Sequence, residues 1–164
     1  MSEQKIRIGV IGCGHWGKNY VRLFSGMPGV ELTAIADTEA AKRQAVAAAH
    51  GNPRSFASHS ELIAAGVCDA VVVATVASTH YAVISEALRA GLDVLAEKPF
   101  TLKASEANEL ADQAEKGGRV LMVAHTFLFN SSVRQIKGYL DAGVVGDVYY
   151  AKARRTHLGL VRQD

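Results

Sequence analysis

Short apolar runs rich in valine and isoleucine alternate with longer amphipathic stretches along most of this 164-residue chain. One run, from Asp69 to Thr75, has no polar residue at its centre, which is typical of a strand buried on both faces of a parallel sheet. Strands that alternate with helices are joined by right-handed crossovers. The pattern therefore predicts an α/β fold with a doubly wound parallel sheet.

The predicted elements alternate strictly through the first three quarters of the chain. Strands are expected at Ile6–Ile11, Glu31–Ala36, Ser55–Phe56, Asp69–Thr75, Asp93–Ala96 and Arg119–Ala124. Helices are expected at Trp16–Ser25, Glu39–His50, Ser60–Ala65, Thr79–Ala90 and Ala104–Lys116. A further helix, Ser132–Ala142, and a further strand, Asp147–Arg155, are predicted after them.

These predictions divide the chain into two parts. Residues 1–125 form the doubly wound domain, and residues 126–164 are the beginning of a second, truncated α+β domain. One helix and one strand do not make a layer that buries its own apolar face, so we expect this second domain to be incomplete. Tyr149 and Tyr150 would begin its sheet and pack in its core.

Composition and charge exclude several classes of protein. Lys and Arg number 18 against 16 Asp and Glu, with no basic stripe, so neither a nucleic-acid partner nor a membrane surface is expected. No apolar run approaches the ~20 residues of a membrane-spanning helix, and the start of the chain has no signal-peptide pattern. Two cysteines fit a reducing cytoplasm, which is the expected location. The histidines lack metal-ligand spacing, so no metal site is expected.

A glycine-rich turn directly follows the first predicted strand. It reads Gly12-Cys13-Gly14-His15-Trp16-Gly17, a G-x-G-x-x-G motif. Gly12 permits the tight turn, Gly14 lets the backbone approach a pyrophosphate, and Gly17 lets the helix pack close to the strand. The amides of Cys13, His15 and Trp16 would then face the negative charge at a helix N-terminus. This context predicts a dinucleotide-binding Rossmann fold; the alternative is an ordinary tight turn.

Asp37 stands directly at the end of the second predicted strand, after Ala36 and 20 residues after Gly17. A carboxylate there accepts hydrogen bonds from the adenosine ribose and repels a 2′-phosphate, so the sequence predicts NAD, with NADP less favoured. The alternative is that Asp37 caps the next helix, and the two roles are compatible.

Polar residues stand at the carboxyl ends of the fourth and fifth strands, which lie side by side with the first strand in the order 3-2-1-4-5-6. Thr75 and Glu97-Lys98 would therefore lie roughly 5–10 Å from the glycine turn. Pro99 restricts Lys98 to extended conformations. An ammonium beside a bound nicotinamide would orient a substrate hydroxyl and stabilise the alkoxide formed as hydride leaves. The alternative is a solvated Glu–Lys pair.

These motifs resemble the family of glucose–fructose oxidoreductase, inositol dehydrogenase and rhizopine catabolism proteins (Gfo/Idh/MocA). The resemblance rests on the glycine turn continuing to Asn19, on Glu97-Lys98-Pro99, on the run from His125 to Asn130 and on Gly146-Asp147-Val148. It implies a two-domain NAD(P)-dependent dehydrogenase of sugars, inositols or nucleotide sugars, homo-oligomeric in full-length form. The His125-to-Asn130 run and the glycine turn are most similar to nucleotide-sugar dehydrogenases.

The resemblance also implies roles for single residues. Lys98 would assist catalysis at the substrate hydroxyl, Glu97 would lie at the nicotinamide ribose, and His80 would lie near the cofactor loop, unless it only packs at a helix start. His125, at the end of the sixth predicted strand, is a candidate substrate contact. The family's catalytic histidine and aspartate have no match here, so we expect the isolated chain to bind NAD but to catalyse poorly.

The sequence departs from the family pattern at two further positions. Val76 and Ser131 stand where the family usually has proline. Two other classes of function remain open as alternatives. A non-catalytic dinucleotide-binding module would not depend on Lys98, and a Rossmann-like methyltransferase would have no use for the Glu-Lys-Pro tripeptide.

Overall fold

The computed structural model describes residues 5–154 and residue 156. Its strands are β1 (Ile6–Ile11), β2 (Val30–Ala36), β3 (Arg54–Phe56), β4 (Ala70–Val73), β5 (Asp93–Ala96) and β6 (Leu121–Val123). Its α-helices are α1 (Gly17–Phe24), α2 (Ala40–Ala49), α3 (His59–Ala64), α4 (Ala77–Arg89), α5 (Ala104–Gly117) and α6 (Ser131–Asp141). A 3-10 helix, Thr126–Phe129, lies between β6 and α6.

The six strands form one sheet in the order β3-β2-β1-β4-β5-β6, and every neighbouring pair is parallel. This confirms the predicted α/β fold with a doubly wound parallel sheet. Ile11, Val73 and Ala96 are register partners across β1, β4 and β5. The carboxyl ends of the three central strands are therefore level with one another.

Helices cover both faces of this sheet because alternate residues of each strand point to opposite sides. On one face Val10, Ile35 and Val72 pack with Val21 of α1 and Ala47 of α2. The other face packs against α3, α4 and α5 through a larger buried cluster. Both faces are thus apolar, which explains why β4 shows no alternation of polar and apolar residues.

Several boundaries differ from the sequence predictions. Helix α3 begins at His59, because the hydroxyl of Ser58 accepts a hydrogen bond from the Glu61 amide and caps the helix one residue earlier than expected. Helix α4 begins at Ala77, two residues before the predicted Thr79. Strand β6 covers only Leu121–Val123 of the predicted six residues.

The contacts of the chain divide it into two compact units, one ending at Ala124 and the other beginning at His125. The second unit contains the 3-10 helix and α6, whose N-cap Asn130 accepts hydrogen bonds from the Ser132 and Val133 amides. All side chains of α6 are at least partly exposed. The 3-10 helix and α6 are thus the regular elements among the unit's described residues, and the apolar side chains of α6 are not enclosed.

The predicted strand Asp147–Arg155 is wrong over its described residues, 147–154, which form neither strand nor helix. A strand needs a neighbour for its backbone hydrogen bonds, and no described segment pairs with these residues. Tyr149 and Tyr150 are 91% and 86% exposed, so the core packing expected for them is wrong as well. Arg155 lies outside the described residues.

Within residues 5–154 and 156, no helix has the length and apolar content needed to cross a bilayer. The same residues contain no group of three or more His, Cys, Asp or Glu side chains arranged to hold a metal ion.

Candidate functional site

The carboxyl edge of the sheet brings several loops together, because the backbone ladder continues one residue past each strand. The amide of Gly12 donates to Ala36, that of Ala74 to Ile11 and that of Glu97 to Val73, at 2.8, 2.8 and 2.9 Å. Neighbouring strands lie about 4.8 Å apart, so the loops after β1 and β5 start roughly 10 Å from each other. The glycine turn, Thr75 and the Glu97-Lys98 loop therefore share one edge, as the sequence predicts.

The three glycines of the turn meet different surroundings. A Cβ on Gly12, whose φ is +95°, would lie 2.7 Å from the carbonyl oxygen of Ala74. A Cβ on Gly17 would lie 1.7 Å from the carbonyl oxygen of Gly12. A Cβ on Gly14 would meet nothing within 4 Å. Gly12 and Gly17 thus permit close backbone packing, whereas Gly14 borders open space.

The turn that leads into α1 carries amides that are available to a ligand. Among the described residues, the amides of Gly14, His15 and Trp16 have no hydrogen-bond acceptor, and the side chains of His15 and Trp16 are exposed. Three free donors at a helix N-terminus beside open space fit an anion such as a pyrophosphate. The residues present therefore fit the predicted cofactor.

Cys13 differs from its neighbours in the turn. Its amide donates to Oδ2 of Asp37 at 2.7 Å, so this amide, which the sequence analysis counted among the cofactor donors, is already paired within the protein. Its side chain is 3% exposed. Burial and then the nearby Asp37 charge raise the pKa of the Cys13 thiol to about 11. The thiol is therefore neutral near pH 7 and unsuited to act as a nucleophile.

Asp37 links the end of β2 to two other segments. Oδ2 accepts the amide of Cys13, and Oδ1 accepts the amide of Glu39 at 2.8 Å, just before α2. Its carbonyl oxygen accepts a hydrogen bond from the Arg43 guanidinium at 2.9 Å. A carboxylate offers about four acceptor positions, so about two remain for ribose hydroxyls. Helix-start bonding and ribose binding thus remain compatible at Asp37.

His80 connects the loops that follow β4 and β5. It is 1% exposed, with Nε2 lying 3.1 Å from the carbonyl oxygen of Thr75 and Nδ1 lying 2.9 Å from that of Pro99. Both ring nitrogens therefore face backbone, which leaves none for a ligand. The cofactor contacts predicted for His80 and Thr75 stay predictions, and the geometry favours a bracing role for His80.

Glu97 is a buried acidic residue directly after β5, 6% exposed. Its Oε1 accepts a hydrogen bond from the Tyr20 hydroxyl at 2.7 Å, and its Oε2 accepts one from the Lys98 amide at 3.1 Å. Burial, together with the Glu97 hydrogen bond and charge, raises the pKa of Tyr20, so the phenol stays a donor. Sequence reasoning missed Tyr20, although its place three residues after Gly17 puts it on the same helix face.

Lys98 is exposed, and the Lys98–Pro99 peptide bond is cis. Within the described part of the chain, its ammonium makes no ion pair and no hydrogen bond. The Lys98 ammonium is therefore free to meet a ligand, and its catalytic role stays a prediction.

Val76, which stands where the resemblance leads us to expect proline, is 59% exposed.

His125 begins the second unit, where it precedes the 3-10 helix and is exposed. Its carbonyl oxygen accepts a hydrogen bond from the Leu128 amide at 3.0 Å. The substrate contact expected for it stays a prediction.

Comparison with known proteins identifies what the chain is similar to. The model of the Gfo/Idh/MocA proteins, an oxidoreductase family with an NAD-binding Rossmann fold, matches residues 6–125. Inositol 2-dehydrogenase 1 of Saccharopolyspora erythraea is 36% identical, over 87% of this chain and 43% of that protein. UDP-N-acetylglucosamine 3-dehydrogenase of Acidithiobacillus ferrooxidans is 35% identical, over 92% of this chain and 45% of that protein.

A solved structure is likewise similar to this chain over most of the chain's length. A mutant of a 3-ketoreductase from Actinomadura kijaniata, crystallised with TDP-benzene and NADP, superposes with a TM-score of 0.79 and 32% identity. The superposition covers 88% of this chain and 46% of that one. The chain thus spans less than half the length of each of these three proteins.

The contrast between the glycines is testable. Gly17→Ala forces a Cβ against a backbone carbonyl, so we expect it to lower the free energy of unfolding by about 3 kcal/mol. Gly14→Ala should change that free energy by less than about 0.5 kcal/mol. It should nevertheless weaken NAD binding about tenfold, because the methyl group occupies the space beside the free amides. Urea unfolding and NAD titration measure both, and unchanged NAD affinity in Gly14→Ala would contradict the assignment of this space.

Proposed function

Because the chain belongs to the Gfo/Idh/MocA oxidoreductase family, we propose that it is the NAD-binding part of a sugar or nucleotide-sugar dehydrogenase. The observation that carries this proposal is the group of three unpaired amides beside Gly14, on the same sheet edge as Asp37 and Glu97. Bound NAD supplies a nicotinamide that accepts hydride from the carbon bearing a substrate hydroxyl.

The glycine turn and Asp37 would hold the adenosine half of the cofactor. The amides of Gly14, His15 and Trp16 would donate to the pyrophosphate, whose charge is also favoured by the N-terminal end of α1. Asp37 would accept hydrogen bonds from the adenosine ribose. Its carboxylate is already fixed by the Cys13 and Glu39 amides, so little side-chain freedom is lost when the ribose binds.

The loop after β5 would serve the nicotinamide half. Glu97 would accept hydrogen bonds from the nicotinamide ribose, and Lys98 would donate to the substrate hydroxyl. A cation beside that oxygen stabilises the negative charge that develops as hydride leaves. The exposed, unpaired ammonium of Lys98 supports this role, since it has no structural partner to give up among the described residues.

The substrate class is inferred from the relatives. Two relatives above 30% identity are named as dehydrogenases of an inositol and of a UDP-linked amino sugar, and the 3-ketoreductase was crystallised with a TDP ligand. A polyhydroxylated ring is common to the two dehydrogenase names, free in one and linked to a nucleotide in the other. We therefore propose such a ring as the substrate of the protein to which this sequence contributes.

The choice between NAD and NADP tests the role of Asp37. The double variant Asp37→Ser with Thr38→Arg removes the repulsive carboxylate and adds a cation, so the ratio of NADP to NAD affinity should rise at least about tenfold. Fluorescence of Trp16, the only tryptophan, measures both affinities. The control is Asp69→Ser, which removes a carboxylate paired with Arg7 before β4, at the opposite edge. An unchanged ratio in the double variant would remove Asp37 from the ribose.

A second experiment distinguishes a dehydrogenase from a non-catalytic dinucleotide-binding module. In a longer polypeptide that joins this sequence to a substrate-binding region, Lys98→Ala should lower kcat about 100-fold and leave KM for NAD within about twofold. The matched control is Lys103→Ala, five residues along the same loop, where the ammonium pairs with Glu106. Undiminished kcat in Lys98→Ala would favour the module.

A further inference from the structure

Glu97 presents an unusual electrostatic situation. The residue is 6% exposed, yet within the described residues its carboxylate forms no ion pair with a lysine, arginine or histidine. A buried carboxylate is costly unless hydrogen-bond donors compensate for lost water. The described donors are two, the Tyr20 hydroxyl at 2.7 Å and the Lys98 amide at 3.1 Å. Tyr20 is thus the side chain on which the position of this charge depends.

Tyr20 is itself held by contacts that do not involve Glu97. Its amide donates to the carbonyl oxygen of Trp16 at 3.1 Å, which ties it to the phosphate-facing turn of α1. Its ring stacks on that of Phe24, with centroids 6.2 Å apart and an interplanar angle of 13°. These two contacts hold the Tyr20 ring in place independently of Glu97. The hydrogen bond from its hydroxyl then joins α1 to the loop after β5.

The free lone pairs of the carboxylate indicate what this arrangement is for. Of about four acceptor positions, Tyr20 and Lys98 occupy two. The remaining positions suit vicinal hydroxyl groups, which donate to a carboxylate without requiring a second charge. A ribose offers such a pair of hydroxyls.

We propose that Tyr20 is a positioning residue, which holds the Glu97 carboxylate ready for the ribose that carries the nicotinamide. This inference rests on the proposed function, because it assumes that NAD occupies the sheet edge. Without the phenol, Glu97 loses its side-chain donor and adopts other rotamers, so ribose binding must restore the order that Tyr20 supplies in advance. Tyr20 therefore acts on one half of the cofactor only.

Three ligands separate the two halves of the site. ADP contains the adenosine half, ADP-ribose adds the second ribose, and NAD adds the nicotinamide. Tyr20→Phe keeps the ring and its stacking on Phe24. We expect it to raise Kd for NAD and ADP-ribose about tenfold and to leave Kd for ADP within about twofold. A purely structural role in the turn would weaken all three ligands alike.

The chain provides a matched control, Tyr81→Phe. The Tyr81 hydroxyl donates to Glu109 at 2.6 Å, between α4 and α5, where Tyr81 is partly buried and Glu109 is exposed. The substitution removes the same chemical group from the same kind of pair, and it should leave all three affinities unchanged.

A double-mutant comparison tests whether Tyr20 acts through Glu97. Glu97→Gln should reproduce the ligand pattern of Tyr20→Phe, and adding Tyr20→Phe to it should cost less than about twofold more in Kd for ADP-ribose. If Tyr20→Phe fails to fold, Glu97→Gln alone decides, since equal losses for ADP and ADP-ribose would overturn the inference. A full tenfold loss from Tyr20→Phe in the Glu97→Gln background would also overturn it.

The outcomes also separate this inference from the proposed function. NAD binding that is weakened by Asp37→Ala but unaffected by Tyr20→Phe would overturn the role of Tyr20 and leave the cofactor site in place. A wild-type chain that binds none of the three ligands would overturn the proposed function and this inference with it.

Discussion

The hydrogen bonds that continue past the ends of the parallel strands are the constraint on which the rest of the site depends. They hold the first residue after β1, β4 and β5 in one row, from Gly12 through Ala74 to Glu97. Close contact between Gly12 and the Ala74 carbonyl leaves no room for a side chain, so position 12 of the turn must be a glycine. The polar groups of three separate loops are thereby held close enough together to contact a single dinucleotide.

Two carboxylates follow a common rule at this edge. Asp37 and Glu97 each come one residue after a strand. Each carboxylate accepts two hydrogen bonds from nearby donors of the chain. Those bonds fix the carboxylates before any ligand arrives, while the remaining lone pairs stay available. The site is therefore preorganised at both ends, and this favours a ligand with one diol near each acid.

Much of this arrangement could be predicted from sequence, for reasons that are local. The spans of β1 and β5 were predicted to the residue, because each apolar run is bounded by turn or charged residues. The false strand at 147–154 arose because alternation alone does not supply a neighbouring strand. The pairings of Tyr20 and of His80 were missed because spacing along the chain indicates which helix face a residue shares but not which loop that face meets.

The most direct test of the account is to record the backbone amide resonances of the chain while NAD is added. If NAD binds at the carboxyl edge, the largest shifts occur at Gly14, His15 and Trp16, with further shifts around Asp37 and Glu97. Residues at the opposite edge of the sheet, such as Arg7, Asp69 and Asp93, should hardly move. Shifts confined to that opposite edge, or no shifts at millimolar NAD, would contradict it.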